Sequence, residues 1–289
     1  MIVAQFVKRS TSRFGRIAYV APLILLAGPW GAGCKGPIRA VPLDPISKVD
    51  AIGLINANVE RVSGTLRASG WVDGTLVDQD GRQRAYSVDG TLLYLAPGYV
   101  RFDLKSFGKR RFLFGANARR YWFYNSQDDS YLCGWHDDDE AEVDMPLQPR
   151  QLIEALALWP IVISDGNGAA PSECTHLIQR VLPDRQQILC LVQNEIGELL
   201  LEKEYWLDRY PPRLIRRVVF RDADGVVVLQ SRLDDYRRLR PGGPWLPHLL
   251  SANWPKSNAR MNFRIGRWST VDQVKPEGPQ FATPAQCEP

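Results

Sequence analysis

Between positions 49 and 62 the apolar residues Val49, Ile52, Ile55, Val59 and Val62 recur at steps of three and four, which places them on one stripe of an amphipathic helix. Gly64 follows as a stop signal. Beyond it the apolar period shortens to two. Tyr86, Val88, Leu92 and Tyr94 share one parity, and Pro97-Gly98 supplies a turn. Val100, Phe102 and Leu104 then alternate with Arg101, Asp103 and Lys105, the pattern of a half-buried strand. Phe112 and Phe114 belong to the next run and 118–125 to the one after. A second helix is expected over 151–158, with Pro149 near its start. Strand signals resume over 176–182, 187–192, 199–207, 214–220 and 226–232, separated by turn residues such as Pro183-Asp184 and Pro211-Pro212. Met261, Phe263 and Ile265 alternate with Arg260, Asn262 and Arg264 as a last amphipathic strand. The expected fold is therefore α+β, mainly β. It is an incomplete antiparallel β-barrel, a strongly curved sheet of about 10–11 strands with helices packed in its concave face.

The N-terminal stretch follows another rule. Lys8, Arg9, Arg13 and Arg16 are its only charged residues before position 34, and an apolar run of 11 residues follows over 17–27. That run is too short for a helix to cross a hydrocarbon core of about 30 Å and fits the apolar region of a secretory signal. Gly31-Ala32-Gly33-Cys34 then resembles the lipobox of bacterial lipoproteins, with Gly31 where an aliphatic residue is usual. The resemblance implies diacylation of Cys34 after cleavage before it; an ordinary signal peptide, with Cys34 a plain thiol, is the other reading. The expected division is a signal peptide over 1–33, a lipidated tether over 34–45, one domain over 46–274, and a disordered tail over 275–289, where four prolines meet little apolar content.

The chain has 289 residues, 45% hydrophobic and 24% charged, enough to bury a full core. Its net charge of +4 comes from the four basic residues of the N-terminal stretch, because the remaining basic residues are matched by 32 acidic ones. Nucleic acid is therefore not an expected partner, since phosphate binding needs a clustered basic surplus.

Signatures of covalent chemistry are missing after Cys34. There is no G-x-S-x-G, H-E-x-x-H, phosphate-binding loop or paired C-x-x-C. Cys133 with His136 and Cys174 with His176 has zinc-type ligands at a spacing that fits no standard site, and export would oxidise such cysteines. The acidic run from His136 through Glu140, Glu142 and Asp144 lacks the spaced ligands of a calcium loop and reads as solvated. Cys133, Cys174, Cys190 and Cys287 allow three full pairings; Cys174 with Cys190 is the preferred one, and Cys287 stays free or pairs elsewhere. The pairs Arg110-Arg111, Arg119-Arg120, Arg216-Arg217 and Arg237-Arg238 suit anionic headgroups only if they converge. No cofactor and no metal are expected.

Three features together resemble the LolA/LolB-like family of periplasmic lipoprotein carriers and outer-membrane lipoprotein receptors. They are the helix before the first strand, GTLLYLAPGYVRF at 90–102, and YWFYN at 121–125. The resemblance implies an unclosed half-barrel, helices at its mouth, and acyl chains held in an apolar cavity. Ala96 stands where the soluble carriers have Arg before the strand proline, and an acylated Cys34 would prevent shuttling. Both point to a fixed acceptor, a monomer anchored in the cell envelope, with Lys35 favouring the outer membrane and the domain facing the periplasm. Val100, Phe102, Leu104, Phe112 and Phe114 are the candidate cavity wall, sharing apolar parity on neighbouring strands. The expected function is binding of acyl chains or lipoproteins without covalent chemistry. The alternative is a structural or interaction lipoprotein whose barrel is filled, with the same residues as ordinary core.

Overall fold

The computed structural model describes residues 41–77, 81–136, 149–164, 173–194, 196–272 and 274–288. The signal segment, Cys34 and the acidic run beyond His136 lie outside the described residues, as does the tether up to residue 40.

Two helices form where the chain signals them. Helix α1 (Lys48–Glu60) is capped by Ser47, whose hydroxyl accepts a hydrogen bond from the Asp50 amide at 3.1 Å, satisfying one of the free amides of a first turn. It buries Ala51, Ile52, Ile55 and Val59, while Val49 of the expected stripe is exposed. Helix α2 (Pro149–Ala155) opens on a proline, whose missing N–H has no partner to lose at a first helical position.

The strands are β1 (Thr65–Val77), β2 (Gln83–Leu95), β3 (Tyr99–Ser106), β4 (Lys109–Ala116), β5 (Arg120–Asn125), β6 (Ser130–Trp135), β7 (His176–Val181), β8 (Arg185–Gln193), β9 (Leu199–Asp208), β10 (Ile215–Arg221), β11 (Val227–Arg238), β12 (Trp245–Trp254) and β13 (Ala259–Val271). They make one open antiparallel sheet in the order β6, β5, β4, β3, β2, β1, β13, β12, β11, β10, β9, β8, β7. Thirteen strands replace the expected ten or eleven because β1, β6 and β12 carry weak signals. In β1 the core-facing positions include Ala68, Gly70 and Gly74, and in β12 Pro247 interrupts the alternation.

The sheet is curved, and α2 shows why it must be. That helix comes into contact with β3 and β4 on one arm and with β10 and β11 on the other. In a flat sheet β4 and β10 would stand seven strand spacings apart, roughly 34 Å, whereas a helix with its side chains is about 10–12 Å across. One face of the sheet carries the main core, with Leu66, Leu92, Phe102, Leu233, Leu250 and Phe263 all fully buried. Gly90 leaves room at its centre: a Cβ there would sit 2.7 Å from Val72 Cγ2 and 3.3 Å from Phe102.

Polar bonds fix α1 and α2 to this face. Asn56 and Asn58 of α1 each bond both ways to a backbone, Asn56 with Ile161 at 2.9 and 2.8 Å and Asn58 with Trp245 at 3.0 and 2.8 Å. Tyr94 and Ser231 donate to the carbonyls of Leu158 and Ala155 after and at the end of α2. Glu154 of α2 meets Lys203 of β9 at 2.9 Å, both side chains only 5% exposed.

Both ends of the domain depart from expectation. The tether reading fails at 41–45, because the Leu43 amide donates to Arg209 O at 2.8 Å and the Arg209 guanidinium donates back to Leu43 O. The tail also is held, along the face opposite the core. Phe281 is 1% exposed and meets Tyr99 edge-on at 5.6 Å, Asn117 donates to Thr283 Oγ1 at 3.0 Å, and a 3-10 turn (Ala285–Cys287) ends at a buried disulfide. Composition registers the prolines but not these three anchors.

Candidate functional site

The helices leave one end of the core face uncovered. There the register builds an aromatic wall across four strands: Phe102 of β3 faces Phe114 of β4, which faces Phe123 of β5, which faces Leu132 of β6. A second row runs from Leu104 to Phe112, Asn125 and Ser130. The rings touch in sequence. Phe263 and Phe102 lie 5.2 Å apart, Phe114 and Phe123 4.6 Å, Phe112 and Phe123 6.0 Å, and Tyr86 meets Phe112 edge-on at 5.1 Å.

Against this wall opens a cavity of about 400 Å³, with Leu76, Tyr86, Phe112, Phe123 and Leu132 as its apolar lining. That volume lies within the roughly 300–1,000 Å³ of ligand pockets. Leu76, Tyr86 and Phe112 also border a smaller apolar recess of about 50 Å³ that runs inward to Val72, Val88, Leu104, Phe114 and Met261. The mouth is polar, formed by Arg84, Asn125, Gln127, Asp128, Ser130 and Ser257. Its loop is set by Asn125, which accepts from the Gln127 amide at 3.0 Å and donates to Asp128 at 2.9 Å, a side-chain turn typical of Asn. Tyr86 donates from its hydroxyl to Gln127 Oε1 at 3.2 Å, tying the wall to the rim.

All five residues expected to form the wall are buried on the core face, but they divide. Phe112 lines both spaces, and Leu104 and Phe114 line the recess. Val100 and Phe102 border neither; they are 1% and 0% exposed and serve as core. Leu76, Tyr86, Phe123 and Leu132 were not singled out. Phe123 and Leu132 follow from carrying the parity of Phe114 two strands further; Leu76 needed the weakly marked β1.

The cysteines pair as Cys174–Cys190 and Cys133–Cys287. They and the two histidines beside them therefore form no thiolate zinc site. The second bridge closes a small cluster on the opposite face, where Leu113 and Trp122 pack with Tyr124 and Tyr131. Beside it, burial pushes the Asp103 carboxyl up, but hydrogen bonds from Arg110 at 2.8 and 2.9 Å and the charges of Arg110, Arg101 and Lys105 hold it below the usual carboxylate range. The four arginine pairs do not converge: Arg110 and Arg120 serve this end, and Arg216 and Arg237 lie on β10 and β11.

No protein-family model matches the sequence, and no curated protein matches it. Among solved structures the chain is similar to a domain named for outer-membrane lipoprotein sorting from Vibrio parahaemolyticus, at 9% identity and a TM-score of 0.44. It is also similar to a LolA superfamily protein from Nitrosomonas europaea at 9% identity and to a protein from a family of unknown function from Desulfovibrio piger at 7%, both with a TM-score of 0.48. Each likeness covers 78% of this chain and 94% of the other. At such identities no residue's role is carried over from them.

Proposed function

We propose that this protein is a cell-envelope lipoprotein that accepts an acyl chain, free or carried by another lipoprotein, in the space walled by Phe112, Phe123 and Leu132, and performs no covalent chemistry. The observation that carries the reading is the aromatic-walled cavity left open beside the helices and continued inward by an apolar recess. An acyl chain needs no directed polar groups along its length, and burying about ten methylenes at about 0.8 kcal/mol each gives micromolar binding before ordering costs. In this reading α1 and α2 fill the rest of the concave face. Cys34 carries the diacyl anchor, two chains being what stable attachment requires, and the monomeric domain works on the periplasmic side of the outer membrane.

Fatty-acid displacement and native mass spectrometry on the protein test it. Bound chains should be displaced competitively, and Leu132→Trp, which extends a half-exposed wall residue into the cavity, should weaken binding at least tenfold with folding intact. A second reading, an interaction lipoprotein with a filled interior, is favoured by the complete burial of Phe102 and the small volume of the recess. Absence of any bound chain in both assays would overturn the first reading in favour of the second.

A further inference from the structure

The face opposite the core carries a second hollow, of about 480 Å³, over strands β8 to β11. Its walls hold four arginines, Arg185, Arg216, Arg217 and Arg232, against two carboxylates, Asp208 and Asp234. Both carboxylates are committed to Arg216, whose Nε meets Asp208 at 2.5 Å and whose other nitrogen meets Asp234 at 3.0 Å. Arg185 is held by Asp184 outside the hollow, through two hydrogen bonds of 3.0 and 2.6 Å.

Arg217 and Arg232 are left, and they stand directly opposite each other in the β10–β11 register. Like charges so placed destabilise a sheet. Arg232 reaches Asp234 only at 3.7 Å. Among the described residues Arg217 meets no carboxylate: it donates to Gln230 Oε1 at 2.7 Å and lies over the Trp206 ring at 5.3 Å, while its Nε is buried without a hydrogen-bond partner. Trp206 is its neighbour on the other side in register, and Arg185 lies over the same ring at 5.8 Å.

We propose that this hollow binds a phosphate group between Arg217 and Arg232. Two guanidinium groups carried at directly paired positions of adjacent strands offer more donors than the two oxygens of one carboxylate accept, whereas a tetrahedral phosphate has oxygens for both. The anion removes the repulsion between the two guanidinium charges. The phosphate belongs to a lipid headgroup or to a free phosphate or phosphoester. The site lies on the face away from the acyl cavity and does not depend on that cavity being used.

The test uses the full chain, its Arg217→Gln and Arg232→Gln variants, and the double variant. Melting temperature is followed against inorganic phosphate at constant ionic strength, with chloride and acetate as controls. Flotation is compared between wild type and double variant on phosphatidylcholine vesicles with and without phosphatidylglycerol, so that any anchor cancels. Phosphate should raise the wild-type melting temperature, and the double variant should bind it at least tenfold more weakly. Arg232→Gln without ligand should melt no lower than wild type, which a purely structural role for this exposed side chain would not give. A phosphate effect without a vesicle difference identifies a free phosphate or phosphoester, and a vesicle difference, with or without a phosphate effect, identifies the headgroup. Equal protection by chloride or acetate, or no difference between wild type and double variant in either arm, overturns the proposal.

Discussion

Replacing both cysteines of the Cys133–Cys287 bridge by serine is expected to destabilise the protein more than the same change at Cys174–Cys190, although the first bridge ties down a chain end. The two bridges span 154 and 16 residues. Loop-closure entropy lost from the unfolded chain then corresponds to about 5 kcal/mol for the long loop and about 3 kcal/mol for the short one, a difference of about 2 kcal/mol. At the Cys133–Cys287 bridge the native state should change little, and Cys174 and Cys190, 2% and 0% exposed in the core, are compared as alanines as well, so that a buried serine hydroxyl is not read as loop entropy. Phe281 stays buried against Tyr99, and Asn117, Arg101 and Arg120 still bond to Thr283, Gln280 and Cys287, the last through a main-chain carbonyl that serine keeps. Urea unfolding of the two double variants and the wild type, all under non-reducing conditions, reads the difference directly. The long-loop variant should also unfold with a steeper dependence on urea, because its unfolded chain exposes more surface. Equal costs for the two variants, or a larger cost for the short loop, would refute the entropic reasoning. Proteolytic loss of residues 275–288 from the native long-loop variant would show instead that the bridge itself keeps the tail docked.

Glu154→Gln removes the 2.9 Å carboxylate partner of the buried Lys203 ammonium and leaves it Glu202 at 3.5 Å, so unfolding free energy should fall by no more than about 3 kcal/mol, whereas Glu154→Leu combined with Lys203→Met should recover most of that loss; denaturant melts of the three proteins decide it. Burial pushes the Tyr94 hydroxyl up to about 12 from 10.0. Because the folded value is raised, its contribution is complete below pH 10 and disappears as pH climbs toward 12, a loss of about 3 kcal/mol. Tyr94→Phe should be less stable at neutral pH and show a shallower decline over that window; an unchanged slope would contradict the assignment. Leu132→Trp should cut acyl binding without lowering the melting temperature by more than a few degrees.

The sequence reveals elements whose signal is local. The three- and four-residue apolar steps from Val49 to Val62 mark α1, Pro149 the start of α2, and the alternation from Val100 to Leu104 marks β3. Strand β1 hides because its core-facing positions serve close approach instead of apolar bulk: Gly70 faces Gly90, and a Cβ on it would lie 2.0 Å from the Arg264 carbonyl oxygen. The tail hides because its burial depends on partners more than a hundred residues away. Parity placed Val100, Phe102, Leu104, Phe112 and Phe114 on the core face but not which of them border the hollow. Parity gives the face but not which end of a strand stays open, and here Phe102 is covered while Phe112, on the next strand, borders free space.

Every neighbouring pair in the sheet but one joins strands that follow each other in the chain; the exception is β1 with β13. In the order of synthesis this means that the first meander must wait. Strands β1 to β6 can zip locally as they emerge, yet the centre of the sheet keeps a bare edge along residues 65–75 until residues 260–271 arrive to pair with it. A chain interrupted before β13 is thus no smaller version of the domain but an unsealed sheet in which β1 is paired with β2 along one edge and bare along the other, the arrangement most open to wrong partners. Conversely, two fragments that part between residues 136 and 149 have one line of backbone pairing to restore, which makes this sheet a natural candidate for splitting and reassembly.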